Sequence, residues 1–350
     1  MASVIDIAKE AGVSQATVSR VINGNSKVSS ENVAKVEHAM DLLGYNPRRR
    51  GGKRVNGLSA SSVNVAVMIL SYDIFQDYSH IFNSLLRSIS HSLSEQGLNA
   101  IQTFVFTKDQ IPPAVKNGHV AGVILGGTSP QPEVLEELKD YPQVWISSRH
   151  DQGGDTALVG NEVIGQMAKD YLVGRGHRHL AFLCATVNHP ALIARGSFFE
   201  FAAKKDGLEV DVITSSNDML PADFKDLEDY LEDLVIKFIA LKERPTGIFI
   251  PMDMQVAIVY RLFKKHGIEV GRDVEIVGCE NDKVALMGLY PRPATIDVGA
   301  DAMGRQAVEL LLWRIMNPDE AKRVCISVVP ELIDGETLEA SSSRELCECL

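Results

Sequence analysis

The sequence predicts an α/β protein in which an N-terminal all-α headpiece with a helix-turn-helix precedes two doubly wound lobes. Three observations support this. The first 46 residues show short helices joined by a glycine turn, and the rest of the chain alternates strand-like and helical segments. A length of 350 residues with 45% hydrophobic residues is also enough for roughly two or three domains with cores of their own.

The first two helical segments form the helix-turn-helix. Apolar residues of the first segment repeat at helical spacing, at Val4, Ile7, Ala8 and Ala11. Gly12 can take the positive φ of a tight turn without steric cost, and Ser14 is placed to cap the next helix. The buried side of that second helix consists of Val18, Val21 and Ile22.

The start of the second helix leaves four residues facing outward, which are Gln15, Ala16, Ser19 and Arg20. A helix-turn-helix places such positions against base edges in the major groove of DNA. The alternative is a small helical bundle without a role in DNA binding.

A third helix and a basic segment follow. Ser29 or Ser30 caps a run with apolar residues at helical spacing, and Gly44 closes it before Pro47. Five basic residues lie within 48–54. Such a segment is either a solvated linker or, at the exit of a helix-turn-helix, a contact with the DNA backbone and minor groove.

The charge distribution separates head from body. Residues 1–54 contain nine basic and five acidic residues, a net charge of +4, whereas the whole chain has a net charge of −11. The remaining residues therefore have a net charge of −15. Attraction to phosphate is concentrated at one end of the chain, and the acidic body is not expected to be wrapped by nucleic acid.

The body reads as alternating strands and helices. Strands are predicted at 63–70, 99–106, 120–125, 143–147, 179–185, 209–214, 247–252 and 275–279, and helices at 81–96, 162–174, 224–242 and 255–266 among others. A helix shortened by Pro112-Pro113 is expected between residues 106 and 120. This alternation predicts parallel sheets covered on both faces, with ligands beyond the carboxyl ends of the strands.

Several functional classes are not indicated. No apolar run approaches the ~20 residues of a membrane span, and the first residues lack the form of a signal peptide. Five scattered cysteines indicate no disulfide framework, and Cys347 and Cys349 alone are too few to hold a metal. No nucleophile elbow or phosphate loop is present. We expect a cytoplasmic protein without enzymatic activity, metal or cofactor.

Motifs in both parts of the chain resemble those of the lactose/galactose repressor family of bacterial transcription regulators. The head matches at 13–23 (VSQATVSRVIN) and 44–47 (GYNP). The body matches at 175–183 (RGHRHLAFL), 245–249 (PTGIF), 273–278 (DVEIVG) and 304–312 (GRQAVELLL). The resemblance covers about 330 residues, with the motifs in the family's order. It implies two periplasmic-binding-protein-like lobes joined by three crossovers, and homodimers, sometimes tetramers, on palindromic operators.

The resemblance also implies domain boundaries. The headpiece is expected at 1–46, the basic hinge at 47–62 and a disordered tail at 341–350. The first lobe is expected to comprise 63–158 and 291–324. The second lobe is expected to comprise 159–290 and 325–340.

Carried over residue by residue, the resemblance predicts the DNA contacts. Gln15 and Ala16 occupy the operator-reading positions, and a glutamine can bond an adenine edge through two hydrogen bonds. The other headpiece contacts are expected from Ser14, Thr17, Ser19, Arg20 and Asn23. For Thr17 and Ser19 the alternative is a phosphate or backbone contact only.

The hinge departs from the family's pattern. Gly51 stands where the family has an alanine, and Arg54 stands where it has a leucine wedged between bases. Adjacent glycines disfavour a helix, and a charged side chain cannot act as an apolar wedge. We therefore predict that Arg49, Arg50 and Arg54 follow a narrow, A/T-rich minor groove.

The effector cleft matches in part. Arg195 falls on the family's effector-binding arginine, with Phe198 where a glycine is usual. Asp253 and Glu280 match acidic positions, and Met252 replaces an asparagine beside Asp253. Phe82 and Arg149 fall at positions that face the cleft from the first lobe. Charge-assisted hydrogen bonds from such a set would hold a polyol, although Arg195, Asp253 and Glu280 can also be read as ion pairs between lobes or at the surface.

These observations predict a sequence-specific DNA-binding regulator, most simply a repressor, whose operator affinity responds to a sugar-like effector between the lobes. Closure of the lobes would change the hinge that pairs the heads. The competing class is a sensory small-molecule-binding protein without effector-controlled DNA binding. That class of protein accounts for the two lobes but leaves the function of the first 54 residues unexplained.

Overall fold

The computed structural model describes residues 4–22, 28–43, 63–70, 80–127, 130–146, 153–186, 189–215 and 224–336. The head consists of three helices, α1 (Val4–Glu10), α2 (Gln15–Ile22) and α3 (Ser30–Leu42). Their shared core is small, and it is made by Ile7, Ala8, Val18, Val36 and Ala39. The order and packing of these helices confirm the predicted helix-turn-helix.

The turn between α1 and α2 forms as the sequence predicts. Gly12 has a φ of 64°, which is the left-handed region that glycine enters without a Cβ penalty. Ser14 caps α2, since its Oγ accepts a hydrogen bond from the backbone N–H of Thr17 at 3.1 Å. At α3, the N–H of Asn32 lies 3.4 Å from the Oγ of Ser29, so that Ser29 rather than Ser30 precedes this helix.

The first lobe is a six-stranded parallel sheet in the order β11-β5-β4-β3-β1-β2. The strands are β1 (Asn64–Ile69), β2 (Asn99–Phe104), β3 (Gly122–Gly126), β4 (Gln143–Ile146), β5 (Asp155–Val159) and β11 (Cys325–Val328). The helices are α4 (His80–Glu95), α5 (Pro113–Lys116), α6 (Pro132–Leu138) and α12 (Ala300–Met316), with a 3₁₀ turn at Lys108–Gln110. The four residues of α5 confirm the shortened helix expected there.

The second lobe repeats the plan with one antiparallel edge, in the order β12-β10-β9-β8-β6-β7. The strands are β6 (His179–Cys184), β7 (Glu209–Thr214), β8 (Gly247–Phe249), β9 (Glu275–Cys279), β10 (Ala294–Asp297) and β12 (Glu331–Ile333). The helices are α7 (Asn161–Gly174), α8 (Pro190–Lys205), α9 (Phe224–Ile239), α10 (Asp253–Lys265) and α11 (Lys283–Leu286).

The chain passes between the lobes three times, as the resemblance implies. It crosses after β5, between β10 and α12, and between β11 and β12. Two predicted boundaries need correction. Residues 294–297 form β10 of the second sheet and were expected in the first lobe. Residues 325–328 form β11 of the first sheet and were expected in the second. Strands β10 and β11 are only four residues long, which is too short for a periodic signal.

Close helix packing and one ion pair hold the first lobe together. A Cβ on Gly304 of α12 would lie 2.7 Å from the side chain of Ser88 on α4, so a glycine is needed where these helices meet. Arg314, near the end of α12, donates two hydrogen bonds to Asp155 of β5, at 2.6 and 2.7 Å. Within the ranges described, no helix is both long and apolar enough to cross a membrane.

Candidate functional sites

The exposed face of α2 is the first candidate site. Gln15, Ala16, Ser19 and Arg20 are exposed, while Val18 on the opposite side is fully buried. This confirms the predicted outward face. Thr17 is half-buried, and its hydroxyl lies 2.9 Å from the hydroxyl of Ser14. The two hydroxyls therefore fix the start of α2, and their contact with DNA stays a prediction.

Some predicted site residues lie outside the described part of the chain. They are Asn23, Arg49, Arg50 and Arg54 in the head and hinge, and Arg149 in the first lobe. The predicted contact between the hinge and the minor groove therefore also lies outside the described residues. Phe82, near the start of α4, is described and half-buried.

Arg195 of α8 lies at the second candidate site, at the carboxyl ends of the strands of the second sheet. Only 4% of the residue is exposed. Its Nε donates to Asn161 Oδ1 at 3.1 Å, and Nη1 donates to the carbonyl of Pro251 at 2.7 Å. Nη1 also lies 3.4 Å from Glu280 Oε1. The second terminal nitrogen has no hydrogen-bond acceptor among the described residues.

Glu280 and Asn281 follow β9 in an unusual backbone conformation. Their φ angles are 107° and 52°, although neither is glycine. For Glu280 this is strained, and strain of order 1–3 kcal/mol persists where surrounding contacts hold it. Asn281 Nδ2 donates to Asp297 at 2.8 Å, and its N–H donates to Thr295 Oγ1 at 3.1 Å. These bonds fix the turn that presents Glu280 to Arg195.

Asp253 has a different role from the predicted one. Its side chain is fully buried, and one oxygen accepts from the N–H of Asp282 at 2.9 Å while both lie within 3.0 Å of Thr295 Oγ1. Burial raises the pKa of this carboxyl well above its usual value. Because both oxygens are engaged and no surface is exposed, Asp253 supports the loop after β9. Its direct contact with an effector stays a prediction, and that contact would require the buried carboxylate to exchange one of these hydrogen bonds.

His189 is a candidate site residue that the sequence reasoning missed. It directly precedes α8, and its Nδ1 is buried without a hydrogen-bond partner among the described residues. Burial, together with the positive charge of Arg195, lowers the pKa of this imidazole to about 4. The ring is therefore neutral at neutral pH, and its Nδ1 can donate a hydrogen bond to a ligand or accept one from it, depending on the tautomer. In the sequence, the only signal for His189 as a site residue is its position six residues before Arg195.

The two sites define a class of protein. An exposed helix of a helix-turn-helix stands at the N-terminus, and a two-lobed body follows it, with a buried arginine and its partners at the carboxyl ends of the strands of the second sheet. This combination is that of a DNA-binding regulator with a small-molecule-binding body.

Comparison with known proteins agrees with this class. Residues 3–48 match the model of bacterial regulatory proteins of the lacI family, and residues 169–338 match that of the periplasmic binding protein-like domain. The HTH-type transcriptional repressor PurR of Vibrio atlanticus (strain LGP32) is 26% identical over 97% of this chain and 99% of its own. The chain thus carries a lacI-type helix-turn-helix domain at its N-terminus and a periplasmic-binding-protein-like domain in its body, which is the combination of a DNA-binding transcription regulator.

Solved structures show the same fold. A complex of the transcriptional regulator CelR with cellobiose has a TM-score of 0.66 at 21% identity, covering 96% of this chain and 100% of the other. The lac repressor dimer bound to operator and the anti-inducer ONPF has a TM-score of 0.64 at 20% identity, covering 96% of this chain and 98% of the other.

Proposed function

We propose that this regulator represses transcription by binding a palindromic operator as a homodimer, and that a sugar-like effector in the cleft changes its operator affinity. The observation that carries the proposal is the arrangement at Arg195. The terminal nitrogen of Arg195 that has no acceptor in the described part of the chain, the Glu280 carboxylate and the neutral His189 ring together offer donors and acceptors. Such a mixture suits the hydroxyl groups of a polyol, each of which both donates and accepts.

The effector would act through the position of Arg195 near the first crossing. Asn161, its partner, begins α7 immediately after the chain has left the first sheet. A ligand that bonds Arg195 on one side and the first lobe on the other favours a closed arrangement of the lobes. Phe82 and Arg149 are the proposed first-lobe contacts. A ligand shifts the equilibrium only by its differential affinity for the two arrangements.

Selection of duplexes from a random DNA pool tests the proposal. The full-length protein should enrich an inverted-repeat sequence, and thermal-shift screening of sugars and phosphorylated sugars should identify an effector that alters binding to it. A sensory protein without effector-controlled DNA binding would give a thermal shift without enriching any sequence. That outcome would reject the proposal in favour of the competing class.

An exposed apolar patch on the second lobe is the proposed contact between the two copies of a homodimer. Val284, Met287 and Tyr290 are 63, 80 and 77% exposed and lie on or just after α11. Exposed apolar residues grouped in this way mark interaction surfaces. Dimer formation is supported by the comparison with the dimeric lac repressor.

Met287→Glu should weaken the dimer, because a charge would be buried in an apolar contact. We expect the dimer dissociation constant to rise at least tenfold, corresponding to ~1.4 kcal/mol, in sedimentation equilibrium. Met316→Glu makes the same change at a 49% exposed methionine of the first lobe and should leave the constant unchanged. Equal effects of the two substitutions on the dimer dissociation constant would show that the patch is not part of the dimer interface.

The hinge arginines are proposed to bind the minor groove near the operator centre. Arg54→Ala should reduce affinity more for operators with an A/T-rich centre than for those with a G/C-rich centre, since the narrow groove concentrates negative potential. Competition binding with two matched duplexes measures the difference. Equal losses on both duplexes would make Arg54 a plain phosphate contact.

A further inference from the structure

A cavity lies in the second lobe, and neither Arg195 nor Glu280 lines it. It has a volume of about 220 Å³ and opens between α8 and the carboxyl-terminal halves of β6 and β7. Strand β7 is the edge of its sheet, so the cavity lies at a lateral surface of the lobe.

Both apolar and polar side chains line the cavity. Phe182, Leu192, Ile193 and Val212 form the apolar part. Ile193 and Val212 stand at the rim, where 47 and 45% of each residue is exposed. The polar part consists of Cys184, Thr186, Ser197, Glu200 and Thr214.

The depth of the cavity depends on a glycine. A Cβ on Gly196 would come within 2.5 Å of the Phe182 ring, so α8 can approach the sheet only without a side chain here. Phe182 itself is fixed from behind by Phe199 and Phe249, with ring centroids 6.4 and 5.7 Å away. The apolar floor is therefore rigid and preformed, which lowers the cost of binding.

This cavity is distinct from the effector cleft. Neither Arg195 nor Glu280 lines it, although Arg195 shares α8 with Leu192, Ile193 and Gly196. Arg195 points to Asn161 and Glu280 instead. A molecule in the cavity would thus touch the helix that carries the arginine, but would not compete with the effector for hydrogen bonds.

Size and lining specify the class of ligand. An apolar cavity of about 150 Å³ suffices for benzene. A volume of 220 Å³ has room for one ring and a short substituent. The charge of Glu200 is already compensated by Lys204 at 2.6 Å, so that the polar lining favours an uncharged hydroxyl over a cation. We propose that this cavity binds a small ring molecule carrying one hydroxyl group, with the ring against Phe182 and the hydroxyl bonded to one of the lining side chains that carry a hydroxyl.

Titration of the full-length protein with 4-fluorobenzyl alcohol, followed by ¹⁹F NMR, tests the proposal. Wild type should show saturable binding, and Val212→Trp, which fills the cavity from its exposed rim, should weaken it at least tenfold. Ser197→Phe, a second filling substitution from the exposed side of α8, should do the same.

The matched control is Ile236→Trp. Ile236 is 51% exposed on α9, which packs against α10, and it does not line the cavity, so this variant should bind the probe as wild type does. The readout requires neither operator nor effector, and its outcome is therefore independent of the proposed function. Absence of saturable binding to wild type, or unchanged binding in both filled variants, would overturn the proposal.

Discussion

Gln15→Ala and Arg20→Ala together should reduce operator affinity by about 100-fold or more. Both residues are exposed on α2, where side chains can reach base edges in the major groove. A bidentate base contact contributes roughly 1–3 kcal/mol, and Arg20 adds either a base contact or a phosphate contact. Fluorescence anisotropy with the selected operator measures the loss.

The two substitutions should also differ in their effects on sequence preference and on the salt dependence of binding. Gln15→Ala should relax sequence preference at one base pair, whereas loss of a phosphate contact weakens binding to all sequences and reduces its salt dependence. Lys35→Ala is the control, because Lys35 lies on α3 and is paired with Glu31 at 2.8 Å. An unchanged affinity and base preference in Gln15→Ala would show that α2 does not read the operator.

Arg195→Ala should weaken effector binding about 10- to 150-fold while operator affinity without effector stays near that of wild type. The range corresponds to about 1.5–3 kcal/mol for a charged hydrogen bond. The expected loss concerns the one terminal nitrogen that has no acceptor among the described residues. Isothermal titration with the effector found by screening gives the ratio of dissociation constants.

Two further variants keep this result interpretable. Removal of the arginine breaks its ion pair with Glu280, so Arg195→Lys, which retains the charge but not the planar guanidinium group, should show an intermediate loss. Arg175→Ala is a matched control, because Arg175 bonds Glu275 at 2.8 Å at the start of β9 and lies outside the cleft. Wild-type effector affinity in Arg195→Ala would make the arginine structural.

The headpiece could be predicted from sequence almost residue by residue. Its helices are short, their apolar faces are narrow, and Gly12 and Ser14 carry local signals for the turn and the cap. The buried strands of the body were equally clear, since β1, β3 and β6 are continuous apolar runs. Strands β5, β10, β11 and β12 were not foreseen as strands. They are three to five residues long, and their assignment to a sheet depends on where the chain crosses between lobes.

In the candidate effector site, the sequence predicts the position of Arg195 but not the roles of the residues around it. The position of Arg195 followed from a motif, and the structure brings it to Glu280. The role of Asp253 did not follow, because it is decided by Thr295 and the N–H of Asp282, which come from distant segments. His189 and the left-handed backbone of Glu280 are likewise consequences of three-dimensional packing.

We propose that the binding of operator and the binding of effector are coupled through one equilibrium between two arrangements of the protein. Coupling is reciprocal, so the effect of one ligand on the other's affinity must appear in both directions. The most direct test measures the effector dissociation constant of the full-length protein, free and saturated with operator, at one salt concentration. We expect the two constants to differ by at least fivefold, and the same factor to describe the effector's influence on operator affinity. Equal effector dissociation constants in the free and operator-bound protein would contradict it.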